Sequence, residues 1–197
     1  MRKKMGPRYR VQLRRKREGR TDYRLRLKLL TSGVPRIVPR VSLNHVCVQV
    51  VEYSKDGDRV IASAHSKELK KFGWKGGTSN LPAAYLAGLL CGYRAARAGV
   101  EECVLDMGGF TPSPGCRVFS AIKGALDAGL KVPHGDVLPA EERISGKHIS
   151  DYARSLKEND ASEYEARFSG YLNRGLPPER LTEHFNEVRR EIVKQFQ

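Results

Sequence analysis

Arginine and lysine side chains are concentrated at the start of the chain, where they could bind phosphate groups. Residues 1–40 contain 15 Lys and Arg against two acidic residues, Glu18 and Asp22, which leaves a formal charge of +13. The remainder carries 21 basic and 20 acidic side chains and is nearly neutral. The positively charged side chains of such a segment repel one another unless a polyanion neutralises them. The asymmetry therefore predicts a nucleic-acid partner first and an anionic membrane surface second.

Asp106 is the strongest candidate for a catalytic residue. It ends a predicted inner strand, Glu102–Asp106, at the position where many α/β enzymes place a metal-binding carboxylate. With Glu102 or Asp127 it could hold Mg²⁺ for phosphodiester hydrolysis, so a magnesium-dependent nuclease on an α/β fold is the alternative function. The ordinary alternative for Asp106 is a carboxylate that caps the following turn or pairs with an arginine.

The remaining candidates for catalytic chemistry are weak. The segment Gly108–Gly115 is glycine-rich but matches neither phosphate-binding glycine pattern, and its two prolines remove backbone donors. The four cysteines form no CxxC pair and the five histidines are scattered, which argues against a metal site. We therefore predict no catalytic residue, no metal, no cofactor and no enzymatic activity. We expect these cysteines to remain free thiols without disulfide bonds, which indicates a reducing, cytoplasmic setting.

The first half of the chain predicts a sheet preceded by a basic arm. Residues 1–20 lack an apolar period and are expected to be extended. Thr21 is the expected N-cap of a helix that ends at Gly33. Residues 36–65 then predict a three-stranded antiparallel unit, with Asp56-Gly57 as a hairpin turn and Pro39 as a sign of an edge or a bulge.

The middle of the chain predicts two helices around a short strand. A helix from Pro82 to about Ala98, capped by Asn80 or Ser79, is apolar almost all round and should be buried. Its Gly88 and Gly92 lie on one face and would let another element approach closely. A second helix follows and ends at Gly129. The fold class is therefore α/β, with a mixed sheet of antiparallel hairpin strands packed against helices.

The end of the chain predicts a charged, helical extension. An apolar stripe recurs at helical spacing from Leu181 to Phe196 and would dock on its own domain or on a neighbouring protein. Since residues 151–197 hold 8 basic and 9 acidic side chains, a basic membrane helix is not expected. The expected organisation is a basic arm at 1–20, an α/β core domain at 21–138 and a helical extension at 139–197.

A second basic patch is expected on the sheet. Arg36, Val38 and Arg40 share one face of their strand, while Ile37 and Val41 face the core. Ser42, Asn44 and His45 follow at the turn into the next strand. The alternative for the two arginines is ion pairing on a solvated face. Within the arm region, Tyr9 and Tyr23 could stack on unpaired bases, and helix packing is the alternative for Tyr23.

Many separate motifs occur together and in order, and they resemble one family. Across residues 6–155 the chain is similar to universal large-subunit ribosomal protein eighteen in its archaeal form. The motifs that carry the resemblance are Gly6–Arg10, Arg14–Arg24, Pro35-Arg36, Ser42–His45, Ser63–His65, Phe72–Gly76, Pro82–Gly88, Val104–Asp106, Val118-Phe119, Lys123-Gly124, Asp127–Leu130 and Val132–His134.

The resemblance implies a structural protein that binds 5S ribosomal RNA. It would help to attach that RNA to the large-subunit rRNA at the central protuberance, beside neighbouring ribosomal proteins, in the cytoplasm and without DNA or membrane partners. It also implies the α/β fold shared by a group of components of the translation machinery. The implied RNA contacts are Arg8, Tyr9, Arg10, Arg14, Arg15, Lys16, Arg17, Arg20, Thr21, Tyr23 and Arg24 on the arm and the helix after it, and Arg36, Arg40, Ser42, Asn44, His45 and Lys75 beyond it.

Overall fold

Four strands form one mixed sheet in the computed structural model, which describes residues 6–196. Residues 1–5 of the predicted basic arm and Gln197 lie outside the described residues. The strands are β1 (Arg36–Val41), β2 (Val46–Ser54), β3 (Gly57–His65) and β4 (Val104–Leu105), in the spatial order β3-β2-β1-β4. The α/β class with a mixed sheet is confirmed.

The antiparallel unit predicted over residues 36–65 is confirmed. β2 pairs antiparallel with both β1 and β3, and the second hairpin turns between Ser54 and Gly57. β4 pairs in parallel with Arg36 and Ile37. Pro39 lies beyond the end of this pairing, at an open edge of β1, where its missing N–H costs no ladder hydrogen bond.

Helices cover one face of the sheet and build the rest of the molecule. The helices are α1 (Arg14–Arg17), α2 (Tyr23–Thr31), α3 (Leu81–Arg97), α4 (Arg117–Asp127), α5 (Glu141–Ile144), α6 (Lys147–Asn159), α7 (Ala161–Leu172) and α8 (Leu181–Phe196), with short 3₁₀ helices at Ser66–Phe72 and Pro178–Arg180.

Two local expectations about the N-terminal region were wrong. The arm is not extended throughout, because residues 14–17 form one helical turn. The N-cap of α2 is Asp22 and not Thr21, since the Asp22 carboxylate accepts hydrogen bonds from the backbone N–H groups of Arg24 and Leu25. A carboxylate at this position also interacts favourably with the positive end of the helix dipole.

The main core lies between the sheet and the pair α3–α4. Helix α3 is buried almost all round, as predicted, and approaches α4 very closely. A Cβ added to Gly88 would lie 1.9 Å from the carbonyl oxygen of Ala121, and one added to Gly124 would lie 2.1 Å from that of Tyr85. The predicted role of Gly88 is confirmed, and Gly124 supplies the matching small position on α4.

The C-terminal helices pack in two ways. The predicted apolar stripe of α8 is buried in the main core through Leu181, Phe185, Val188 and Ile192, so it docks on its own chain. Helices α6 and α7 share a smaller cluster around Tyr164 and Phe168. Within residues 6–196, no helix combines the length and apolar character needed to cross a membrane.

Candidate nucleic-acid interface

The basic arm is exposed along its described length. Every residue from Gly6 to Arg20 is exposed, including Tyr9 and the arginines predicted to contact RNA. Glu18 is the acidic residue of this segment, and it lies 3.8 Å from Arg14 and 3.2 Å from Arg20. One carboxylate cannot neutralise this cluster, so the arm keeps a strong positive potential.

The end of the arm is fixed where it meets α2. Arg15 Nε donates a 2.9 Å hydrogen bond to the Thr21 hydroxyl, which links the helical turn α1 to the start of α2. Hydrogen bonds from the backbone N–H groups of Leu25 and Arg24 hold the pKa of the Asp22 carboxyl below its ordinary value. Asp22 therefore stays ionised as a cap. Tyr23 is half-buried and Arg24 is exposed.

A cleft of about 540 Å³ separates the arm and α2 from the sheet. Its lining brings together residues of the arm, of α2 and of the sheet face that α3 and α4 do not cover. The basic side chains in the lining are Arg15, Arg20, Arg26, Arg36 and Arg40, and the acidic ones are Asp22, Asp58 and Asp106. The structure thus joins two regions that look like separate basic patches in the sequence.

Alternating charges run along the floor of this cleft. Arg26 on α2 lies 2.8 Å from Asp58 at the start of β3, and Asp58 lies 2.7 Å from Arg36. Arg36 then pairs with Asp106 at 2.6 Å, and Arg40 lies 3.7 Å from the same carboxylate. The two acidic residues therefore bind three arginines from two different elements, α2 and β1.

Arg36 is buried, although the sequence places it among the RNA contacts. Its exposed fraction is 3%, and both terminal nitrogens donate to carboxylates. Its Nε has no hydrogen-bond partner among the described residues. Arg36 therefore matches the ion-pair alternative, and in this arrangement it positions the two aspartates instead of offering a surface charge. Arg40 remains substantially exposed.

The Asp106 carboxylate is occupied by the protein itself. Oδ2 accepts from Arg36, and Oδ1 accepts a 2.9 Å hydrogen bond from the backbone N–H of Gly108. These are the two roles of the non-catalytic alternative, capping the next turn and pairing with an arginine. In the described part of the chain, no three His, Cys, Asp or Glu side chains cluster in a way that could hold a metal ion.

The loop between β1 and β2 forms a second surface. The Ser42 hydroxyl donates to the carbonyl of His45 and accepts from its N–H, so this predicted RNA contact also closes the loop. Leu43 at the tip is 90% exposed, and Asn44 beside it is exposed as well. Burial, together with the nearby charges of His65 and Lys67, lowers the pKa of His45 and favours its neutral form.

The segment that contains Lys75 is hydrogen-bonded to this surface through Thr78 and Ser79. The hydroxyl of Thr78 donates to the carbonyl of Asn44 at 2.6 Å, and the hydroxyl of Ser79 donates to that of Ser42 at 3.0 Å. We call residues 73–80 the tryptophan loop. Its Lys75 side chain is exposed. The segment that carries Lys75 is therefore hydrogen-bonded to the loop that carries the predicted contacts Ser42, Asn44 and His45.

Three exposed lysines near this surface were missed by the sequence reasoning. Lys67, Lys70 and Lys71 lie on the 3₁₀ helix before the tryptophan loop, and Lys67 and Lys70 act electrostatically on His45. The acidic residue among them, Glu68, pairs with Arg94 at 2.7 Å. Four lysines in residues 67–75 against one glutamate form a charge run that could have revealed this patch.

Comparison with known families gives a match that includes the whole interface. A family model described as ribosomal large subunit proteins 60S L5 and 50S L18 matches residues 7–101 and 96–135. These segments contain the described arm after Gly6, all four strands, α3 and α4. Helices α5 to α8 lie outside the matched segments.

Proposed function

This chain belongs to the family of ribosomal large-subunit proteins 60S L5 and 50S L18, and from that membership we propose that it binds 5S rRNA. The family makes it an RNA-binding component of the large subunit in cytoplasmic ribosomes. The finer proposal is that it helps to attach 5S rRNA to the large-subunit rRNA at the central protuberance, next to other large-subunit proteins.

The observation that carries the proposal is the exposed arm above an arginine-lined cleft. The arm and the helix after it offer guanidinium groups from Arg8 to Arg24, and Arg40 extends the same field onto the sheet. Irregular arginine-rich segments suit structured RNA, because phosphate and 2′-hydroxyl contacts dominate there and do not require a regular helix in a groove. We assign the RNA contacts to this surface and to the surface formed by residues 42–45 and Lys75.

Removing the arm tests the proposal. A variant without residues 1–20 should bind 5S rRNA much more weakly, and its log–log salt dependence should flatten by roughly 0.7–0.9 for each phosphate that the arm neutralises. The arm contributes no buried side chain over residues 6–20, so thermal unfolding of the remaining chain should change little. Equal affinity with and without the arm would overturn the assignment.

Two substituted full-length proteins provide the matched control. Replacing Arg14, Arg15 and Arg17 by lysine keeps the charge, whereas replacing them by glutamine removes it. If phosphate neutralisation dominates, the lysine variant should retain most of the salt slope and the glutamine variant should neutralise about three fewer phosphates. An equal reduction of affinity in both variants would instead indicate guanidinium-specific contacts.

A further inference from the structure

The C-terminal extension holds the main chain of the tryptophan loop from outside the family-matched segments. The backbone N–H of Lys75 donates to Nε2 of His184 on α8 at 3.0 Å. The carbonyl of the same residue accepts from Nε of Arg174, which follows α7, at 2.5 Å. Both polar backbone groups of one exposed loop residue are thus bound by residues about 100 positions later in the chain.

Two further contacts complete this arrangement. The hydroxyl of Tyr171 on α7 accepts hydrogen bonds of 3.2 Å from the backbone N–H of Gly77 and from the side chain of Asn80. The ring of His184 stacks on that of Trp74, with 5.3 Å between centroids and 17° between planes. We call Tyr171, Arg174 and His184 the clamp.

The tryptophan loop is also closed from within. Trp74 is buried, and its Nε1 donates a 3.0 Å hydrogen bond to the carbonyl of Gly77. A Cβ added to Gly76 would lie 2.5 Å from the indole ring. The loop is therefore folded tightly over its tryptophan, and the clamp fixes the side of the loop that carries Lys75.

We propose that the clamp is a positioning device that aligns Lys75 with residues 42–45 to form one RNA-binding surface. This inference rests on the proposed function, because it concerns how the same surface is assembled. Its physical basis is that an exposed lysine on a mobile loop loses conformational entropy on binding, whereas a fixed backbone has already lost part of it. The Lys75 ammonium then adds a phosphate contact at a lower entropic cost.

A thermodynamic cycle in the full-length protein tests the positioning role. Lys75→Ala should weaken binding of 5S rRNA roughly fivefold and lower the salt slope by about one phosphate contact. The double variant Tyr171→Phe/His184→Phe keeps an aromatic ring at both positions but removes the acceptors for the loop N–H groups. In that background Lys75→Ala should weaken binding less than twofold further.

Hydrogen exchange supplies a readout that does not involve RNA. The amides of Lys75 and Gly77 should exchange at least tenfold faster in the clamp variant than in the wild-type protein. Tyr152→Phe/His148→Phe is the matched control on α6, since neither side chain has a hydrogen-bond partner among the described residues. It should leave both exchange and the effect of Lys75→Ala unchanged.

Arg174→Ala provides a second route if the ring variants fold poorly, because Arg174 is exposed and its truncation opens no cavity. A direct RNA contact by Arg174 would add to the effect of Lys75→Ala, whereas a positioning role would not. Full additivity, or unchanged exchange at Lys75, would overturn the inference and leave the proposed function standing. Failure of the wild-type protein to bind 5S rRNA would overturn both.

Discussion

Arg36 on β1 donates a 2.6 Å hydrogen bond from Nη1 to Oδ2 of Asp106, which lies 70 positions later and directly after β4. The pair joins the two strands at the point where their parallel pairing ends, since the N–H of Asp106 also donates to the carbonyl of Ile37. A buried guanidinium and a buried carboxylate therefore hold the floor of the interface cleft together.

Removing this carboxylate should destabilise the protein strongly. Asp106→Ala leaves Arg36 buried with Asp58 as its remaining partner, and we expect the free energy of unfolding to fall by about 3 kcal/mol. The double variant Arg36→Met/Asp106→Leu removes both charges together and should be less destabilised than Asp106→Ala. Urea denaturation of the wild-type protein and of both variants measures these free energies of unfolding. Equal destabilisation of the single and double variants would show that the isolated charge is not the cause.

The variant Asp106→Asn also separates a structural role from a catalytic one. Because both oxygens of Asp106 are used within the protein, we expect wild-type and Asp106→Asn proteins to leave RNA equally intact in Mg²⁺. Gel analysis of labelled 5S rRNA would show this. Cleavage by the wild-type protein that disappears in the variant would revive the nuclease alternative.

Substitution by alanine should have opposite effects on stability at Gly88, where α3 meets α4, and at Gly170 on α7. Gly88→Ala would place a Cβ 1.9 Å from the backbone oxygen of Ala121, so the helices must separate at a cost of about 3 kcal/mol. Gly170 on α7 is exposed, and an added Cβ there would meet the flexible Arg174 guanidinium at 3.5 Å. Gly170→Ala should therefore stabilise the helix by up to about 1 kcal/mol. Thermal unfolding should show a lower melting temperature for Gly88→Ala and a higher one for Gly170→Ala than for the wild-type protein.

Local patterns predicted the elements of this fold, because hairpin turns, helix caps and apolar periods act over a few residues. The hairpin is an example, although its turn residues are Lys55 and Asp56, one position before the predicted pair; the Asn80 cap is another. The clamp was beyond such reasoning, since His184 and Lys75 lie 109 positions apart and neither residue type reveals the other. Arg36 shows the same limit: its spacing placed it on the correct face, but its burial depends on Asp58 and Asp106, which only the folded sheet brings within reach.

The docking of α2 should depend on one partly exposed ion pair. No residue of α2 is buried, and Arg26 links the helix to Asp58 on β3. Arg26→Ala should therefore speed amide exchange in α2 several-fold while lowering global stability by less than about 1 kcal/mol. Arg24→Ala is the control on the same helix, since Arg24 makes no ion pair among the described residues. It should leave exchange unchanged but weaken RNA binding, and the reverse pattern would contradict both assignments.

The clamp should weaken in mild acid. The backbone N–H of Lys75 donates to Nε2 of His184. Protonation of that nitrogen turns it into a donor, so this hydrogen bond would be lost. Burial lowers the pKa of His184 below its ordinary value of 6.5 and the Lys75 charge acts in the same direction, whereas Glu187 at 3.7 Å opposes them. The neutral form is therefore favoured in the folded state. The contribution of neutral His184 to the stability of the folded state is present above pH 6.5 and disappears as the pH falls through the lowered pKa of this residue.

A comparison with His184→Gln isolates this effect, because glutamine can accept the hydrogen bond but does not titrate. The pKa values of His45 and His148 are also lowered by burial, but both residues remain in both proteins and cancel in the difference. Between about pH 7.5 and about pH 5, the thermal stability of the wild-type protein should fall more than that of His184→Gln, and amide exchange at Lys75 should rise more steeply. Parallel pH profiles would mean that His184 does not carry the acid sensitivity of the clamp. A steeper fall in the variant would reverse the sign expected from a lowered histidine pKa.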